Sequence, residues 1–183
     1  MDDLTLAHAL ARGDEAAFQR LVDEQSGAVF RTCYRILGSI EDAEDAVQET
    51  FVLAYRGLRS YRGDGPPGAW LARIAVRECW QRSRSRSRRV AVLEPLDDVV
   101  QATTADEADV AGEVLAEEER AEVRRALEAL PEPYREVVSL RFLGDRSLAD
   151  IAAVTGRPEG TVKSHLYRGL ERLRTIIGEE ETR

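Results

Sequence analysis

Ten arginines lie between Tyr55 and Arg89 against only Asp64 and Glu78, in a 183-residue chain whose net charge is −8. A cationic island of that density inside an acidic protein calls for an anionic partner. After the turn-forming run from Gly63 to Gly68, a helix from Ala69 would turn Leu71, Ile74, Ala75 and Cys79 inward and Arg73, Arg77, Trp80 and Arg84 outward. Guanidinium groups grip phosphate oxygens, and an indole offers a face on which an unpaired base stacks. That is the chemistry of single-stranded nucleic acid. The Arg-Ser alternation from Gln81 to Arg89 extends it with phosphate contacts that position a strand without reading it.

Just ahead of this island lies the opposite charge. Ser39 can cap a helix whose first turn holds Glu41 and Asp42, where the macrodipole favours anions. Ile40, Ala43, Val47, Phe51, Ala54 and Leu58 recur at three- and four-residue steps and predict an apolar stripe for a core. Asp42, Asp45, Gln48 and Glu49 fall on the other face, stacked along the outside of the helix and not across a cleft. With no nucleophile or metal motif beside them they do not make a catalytic pair. They are either a solvated helix face or an anionic docking ridge.

A third candidate lies near the C-terminus. Ser147 can cap a short helix to Val154, with Asp150 three residues on, and Thr155-Gly156-Arg157 makes a tight turn before Pro158 opens a last helix to about Ile177. Two helices joined by a glycine-containing turn form a helix-turn-helix, whose second helix enters the major groove. There Val162, Leu166, Leu170 and Leu173 line the inner stripe. Lys163, Ser164, Tyr167 and Arg168 share another face, where base edges would be met.

The elements that position these groups are all helical. Residues 4 to 12 make a short amphipathic helix ending at Gly13; Asp14 caps a longer one, through Phe18, Leu21, Val22, Val29, Phe30, Cys33, Tyr34 and Leu37, that ends at Gly38. With the two helices above, these predict an all-α domain over residues 1 to 89. From residue 94 to 122 there are eleven acids and a single base, Arg120. Pro95 and weak periodicity predict an extended acidic linker over 90 to 118. A second helical domain spans 119 to 178, with Val123, Leu127 and Leu130 before the break at Pro131 and Pro133, and Val137, Val138, Leu140 and Phe142 after it; residues 179 to 183 are a tail.

Composition excludes several classes. The N-terminus, MDDLTLAHAL, has neither a basic segment nor a long apolar run, so neither secretion nor a membrane span is expected and the chain is placed in the cytoplasm. Cys33, Cys79, His8 and His165 lack the spacing of a metal motif and predict no metal and no cofactor; the cysteines read as buried thiols in a reducing compartment.

The motif Glu41-Asp42-Ala43-Glu44-Asp45-Ala46-Val47-Gln48-Glu49-Thr50-Phe51 resembles the core-polymerase-binding helix of the sigma-70 family, and YRGDGPPGAWLARIAV, from Tyr61, is similar to its segment that opens and reads the promoter −10 element. The stretch from Leu130 to Arg174 resembles that family's −35-reading domain, and the small size, with nothing between the two, is that of its extracytoplasmic-function (ECF) group. The resemblance implies a non-enzymatic initiation factor. Asp42, Asp45, Gln48 and Glu49 would meet the β′ clamp helices of core RNA polymerase, with the β flap as a further contact. Arg59, Tyr61, Arg62, Trp70, Arg73, Arg77, Trp80 and Arg84 would hold −10 DNA, and a loop from about Arg62 to Gly68 would capture a flipped base. Lys163, Ser164, Tyr167 and Arg168 would contact the −35 duplex. The linker would thread polymerase channels, or serve as a solvated spacer, or screen the basic helix. An anti-sigma factor is a common partner of such chains. Here the sequence departs from the family pattern at Arg77, where Asn is frequent, and at Pro66-Pro67-Gly68, where polar or aromatic residues are frequent. The rival readings are a stand-alone helix-turn-helix regulator dimerising on a palindrome and, more distantly, a magnesium-dependent nuclease built on the acids from Glu41 to Glu49.

Overall fold

Local capping chemistry sets the helix boundaries. The computed structural model describes the backbone of residues 3–92 and 107–180, without the side chains of residues 3, 4, 59, 89–92, 107–115, 179 and 180. Helix α1 (Asp3–Ala11) ends before Gly13, whose φ of 76° suits only a residue without a Cβ. Asp14 then accepts from the backbone N–H groups of Ala16 and Ala17 and starts α2 (Glu15–Leu37). Gly38, at φ 73°, closes α2, and Ser39 accepts from the Asp42 N–H to open α3 (Ile40–Gly57). A short 3₁₀ turn (Leu58–Ser60) and the glycine-proline loop lead to α4 (Pro67–Val92).

Helices α2, α3 and α4 pack pairwise, with α1 laid against α2 and α4. The buried face of α3 is made of small residues, Ala43, Ala46, Thr50 and Ala54, which let the backbones approach closely; Thr50 returns its hydroxyl to the Ala46 carbonyl at 2.6 Å. Of the apolar stripe expected on this helix, Ala43, Ala54 and Leu58 are buried and Val47 and Phe51 partly so. Ile40 departs from it at 62% exposure, because the first residue of a helix has no preceding turn for its side chain to lie on.

The second half holds α5 (Glu107–Ala129), α6 (Tyr134–Phe142), α7 (Leu148–Thr155) and α8 (Glu159–Glu180). Helix α5 begins well ahead of residue 119, where the second helical domain is expected to start, and so takes in part of the expected linker; its alanines and glutamates are strong helix formers and its acids suit a helix N-terminus. Pro95 and the rest of 93–106 lie outside the described residues. Helix α6 is buried on every side from Arg135 to Leu140, enclosed by α8, α7, α5 and, from the first domain, α4. The inner stripe of α8 is as expected: Val162 and Leu173 are buried, Leu166 and Leu170 partly so.

One cluster of buried side chains therefore runs from Leu6 to Leu173 through both halves. Truncating Leu71, fully buried on α4, should lower unfolding free energy by about 2–5 kcal/mol. Ile40→Ala should change it by less than about 0.5 kcal/mol. Urea denaturation of the two variants followed by circular dichroism checks the contrast.

Candidate nucleic-acid and polymerase interfaces

The four polar residues expected on the outer face of α3 do share it. Asp45 and Gln48 are exposed, Asp42 and Glu49 half-buried. Two of them are drawn toward the basic half of α4: Asp42 Oδ2 lies 2.7 Å from Arg86 Nη1, and Asp45 Oδ2 3.9 Å from Arg82 Nη1. Burial alone would lower the pKa of Arg82, but its hydrogen bond to Glu78 and the charges of Glu78, Asp45 and Glu49 raise it instead. Between the start of α3 and Gln81–Arg86 opens a polar cavity of about 650 Å³. The ridge is thus a solvated acidic strip with one edge neutralised by arginine.

The residues expected to meet a single strand fall into three groups. Arg62, Arg77 and Arg84 are open to solvent, Arg62 beside Asp64 at 3.1 Å and Arg84 donating to the Trp80 carbonyl. Tyr61 and Trp70 form a ring pair 4.8 Å between centroids, and the Tyr61 hydroxyl donates to the Gly65 carbonyl at 2.6 Å, which folds the loop back on the rings. Arg73 and Trp80 are different. The sequence places Trp80 on an outward face of α4, yet only 2% of it is exposed. Its Nε1–H donates to Ser139 Oγ at 2.9 Å and the Arg135 guanidinium sits 5.8 Å from its ring centroid, so what covers the indole is the chain's own second domain. The side chain of Arg59 lies outside the described residues.

Glu136 anchors the same seam. Its carboxylate, 7% exposed, receives Arg73 Nε at 2.9 Å on one oxygen and Arg157 Nη1 at 2.7 Å on the other. Burial pushes its pKa up, but the hydrogen bonds and charges of Arg73 and Arg157 outweigh that and hold it below the ordinary carboxylate value. Arg73 also donates through Nη1 to the Val154 carbonyl in the helix-turn-helix turn. At the rim, Arg35 Nη1 donates to the Leu143 carbonyl at 3.0 Å and pairs with Asp145 at 2.8 Å. A Cβ on Gly65 would come within 2.9 Å of the Ala153 Cβ, so the loop and the turn approach as closely as glycine permits. Glu136, Ser139, Arg157 and Arg35 carry no sequence signal of such a role.

Helices α7 and α8 have the geometry of a helix-turn-helix. Ser147 and Asp150 form a complete capping box, and Gly156, at φ 66°, makes the turn. Lys163, Ser164, Tyr167 and Arg168, with Glu171, line one open face of α8, on which Tyr167 is 65% exposed. Lys163 Nζ is 3.0 Å from Glu159, and the Ser164 hydroxyl bonds the Gly160 carbonyl. His165 turns the other way, edge-on to Tyr134 at 5.6 Å, while Arg172 sits over the Tyr134 ring. Burial, with the charges of Arg157 and Arg168, lowers the His165 pKa and leaves the ring neutral at neutral pH.

Residues 21–89 match the family described as Sigma-70 region 2, and residues 120–173 match Sigma-70, region 4. The chain is 32% identical over 169 residues to the ECF RNA polymerase sigma factor SigW of Bacillus subtilis, covering 89% of this chain and 90% of that one. The chain belongs to the sigma-70 family, in its ECF group. This ECF sigma factor is likewise 35% identical over 180 residues to the ECF sigma-E factor of Escherichia coli K12, with 93% and 92% of the two chains covered. Among solved structures it is similar to that of CnrH in complex with the cytosolic domain of CnrY (TM-score 0.58, 25% identity, 97% of each chain). Its fold is also that of the sigma factor RpoE in complex with the anti-sigma factor NepR from Bartonella quintana (TM-score 0.52, 24% identity, 88% of this chain and 96% of that one). A sigma factor of this group directs RNA polymerase to promoters and performs no covalent chemistry of its own.

No cluster of metal-ligating side chains occurs among the described residues, and no described helix is long and apolar enough to cross a membrane. In this sigma factor Cys33 on α2 and Cys79 on α4 are fully buried neighbours. A hydrogen bond between the two thiols, and then burial, push the Cys79 pKa far up, which removes the thiolate that reagents and oxidants attack. Ellman's reagent should therefore titrate neither cysteine in the native protein and both after guanidinium unfolding.

Proposed function

We propose that this sigma factor engages core RNA polymerase through the outer face of α3, with Asp42, Asp45, Gln48 and Glu49 set against the β′ clamp helices and the second domain reaching the β flap. Helix α8 reads a −35 duplex in the major groove with Lys163, Ser164, Tyr167 and Arg168. The first domain holds the opened −10 strand: Arg62, Arg77 and Arg84 along the phosphates, the Tyr61–Trp70 pair and its loop around an extruded base, and Arg59, Arg73 and Trp80 along the rest of its track. On this reading residues 1–89 are the polymerase and −10 domain, 90–118 an acidic connector, 119–178 the −35 domain, and 179–183 a tail. The whole acts in the cytoplasm, where its polymerase is.

The observation that carries this division of labour is the pair of solvent-open surfaces of opposite chemistry, Asp45 and Gln48 on α3 and Lys163, Tyr167 and Arg168 on α8. The solved relatives were captured with CnrY and with the anti-sigma factor NepR. By the same logic, this chain takes an anti-sigma partner that competes with polymerase.

Run-off transcription with purified core polymerase on genomic fragments tests the reading. Initiation at discrete sites is expected. Failure to associate with core at low salt, combined with tight binding to a palindrome by the chain alone, would favour a stand-alone regulator. Gln48→Ala with Glu49→Ala should weaken core binding about tenfold or more and spare binding of −35 duplex by the full chain. Lys163→Ala with Arg168→Ala should do the reverse, since a direct base contact is worth about 1–3 kcal/mol. Equal losses in both assays would mean that the surfaces are wrongly divided.

A further inference from the structure

We propose that this sigma factor is latched shut by its own second domain, with the Glu136 carboxylate occupying the Arg73 guanidinium in the place of a DNA phosphate. The proposal rests on the assignment of Arg73 and Trp80 to the −10 strand, and adds that the free chain withholds them.

Two donors of Arg73 are committed within the chain. Nε goes to Glu136 and Nη1 to the Val154 carbonyl, both on the second domain. A carboxylate and a phosphate present the same acceptor pair to a guanidinium, so only one of them can hold Arg73 at a time. Trp80 is withheld in parallel: its single polar atom is satisfied by Ser139, 59 residues away in the chain, and its faces are covered. The Tyr61–Gly65 loop is faced by Ala153–Gly156, with a narrow cavity of about 350 Å³ between them that Arg73 and Arg77 also line. One seam thus covers both the base-capturing loop and the turn of the helix-turn-helix.

What the seam leaves open is as informative. Asp45 and Gln48 on α3, and Lys163, Tyr167 and Arg168 on α8, remain exposed. The closed chain can therefore dock on polymerase and meet duplex DNA, but it cannot take a single strand along α4. Single-strand capture comes last, after the domains part. The ion pairs that cross the seam are open to competition, because their arginines are partly exposed, at 26% for Arg73 and 41% for Arg35. Strand phosphates can compete for those arginines, and salt weakens their pairing.

The test uses the full-length chain without polymerase. A fluorescent pool of randomised single-stranded DNA is the probe, read by anisotropy, and small-angle scattering gives the radius of gyration. Glu136→Ala removes the latch, and Ser139→Ala loosens the Trp80 contact without changing charge. Glu119→Gln, on an exposed position of α5, controls for the loss of one negative charge. Circular dichroism melting confirms that each variant is folded. Glu136→Ala and Ser139→Ala should both expand the chain and bind the single strand about tenfold tighter, the gain of about one stacked base. The control should match wild type in both measurements. The proposal is overturned if wild type, Glu136→Ala and Ser139→Ala share one radius and one affinity, or if affinity rises without expansion. Run-off transcription separates the two readings: a chain that initiates with core polymerase but shows no latch effect loses only the latch, whereas a chain that never initiates loses the promoter reading itself.

Discussion

A carboxylate removed from water remains an anion only where other charges replace the water. Glu136 meets that condition because Arg73 approaches from one domain and Arg157 from its own, one on each oxygen. The arrangement fixes more than a charge. Guanidinium geometry is planar and directional, so binding Glu136 sets where α4 lies relative to α6 and to the turn after α7. The Trp80–Ser139 hydrogen bond and the Arg35–Asp145 pair then fall into register at the two sides of the same seam. Buried ion pairs contribute little net stability, but they disfavour alternative alignments in which one partner would be stranded.

Helix α4 is the element on which these demands converge. Its inner face, with Leu71, Ala75 and Cys79 fully buried, belongs to the first bundle and cannot move without unfolding it. Its outer face carries arginines whose partners are exchangeable: Arg73 with Glu136, Arg82 with Glu78 and Asp45, Arg86 with Asp42. Each of these arginines is matched by a carboxylate of the same chain, an acceptor that a guanidinium meets with the geometry it would use for a phosphate. Part of the basic helix is thereby neutralised within the chain, while Arg77 and Arg84 stay open to solvent.

Much of this was legible from residue order alone, and what was legible is local. Asp14, Ser39 and Ser147 cap helices because the acceptor and the N–H groups it meets lie two or three residues apart, and Gly38 and Gly156 end helices through their own backbone freedom. The apolar stripe of α8 and the shared face of Lys163, Ser164, Tyr167 and Arg168 follow from period alone. Trp80 was not legible in this way. Periodicity excludes it from the inward stripe of α4 but is silent about a surface contributed by a residue 59 positions later. Glu136 was hidden for the same reason: in Tyr134-Arg135-Glu136-Val137-Val138 an acid in the first turn reads as an ordinary helix start, and only the neighbouring domain turns it into a buried ligand for two arginines.

The chain's preference for arginine acquires a physical meaning in that setting. A lysine at position 73 would offer all its donors from one nitrogen, whereas the guanidinium spreads them over a rigid fork, so that Nε meets the carboxylate on α6 while Nη1 meets the turn after α7. The same fork, once released, is shaped to bridge phosphate oxygens. A side chain that recognises a carboxylate and a phosphate by one geometry would pass between the two states proposed above without any rearrangement of its own. The cost of the proposed opening then lies in parting two helical domains across a seam that joins the Arg73–Glu136 pair to the buried Trp80 and the shared apolar cluster.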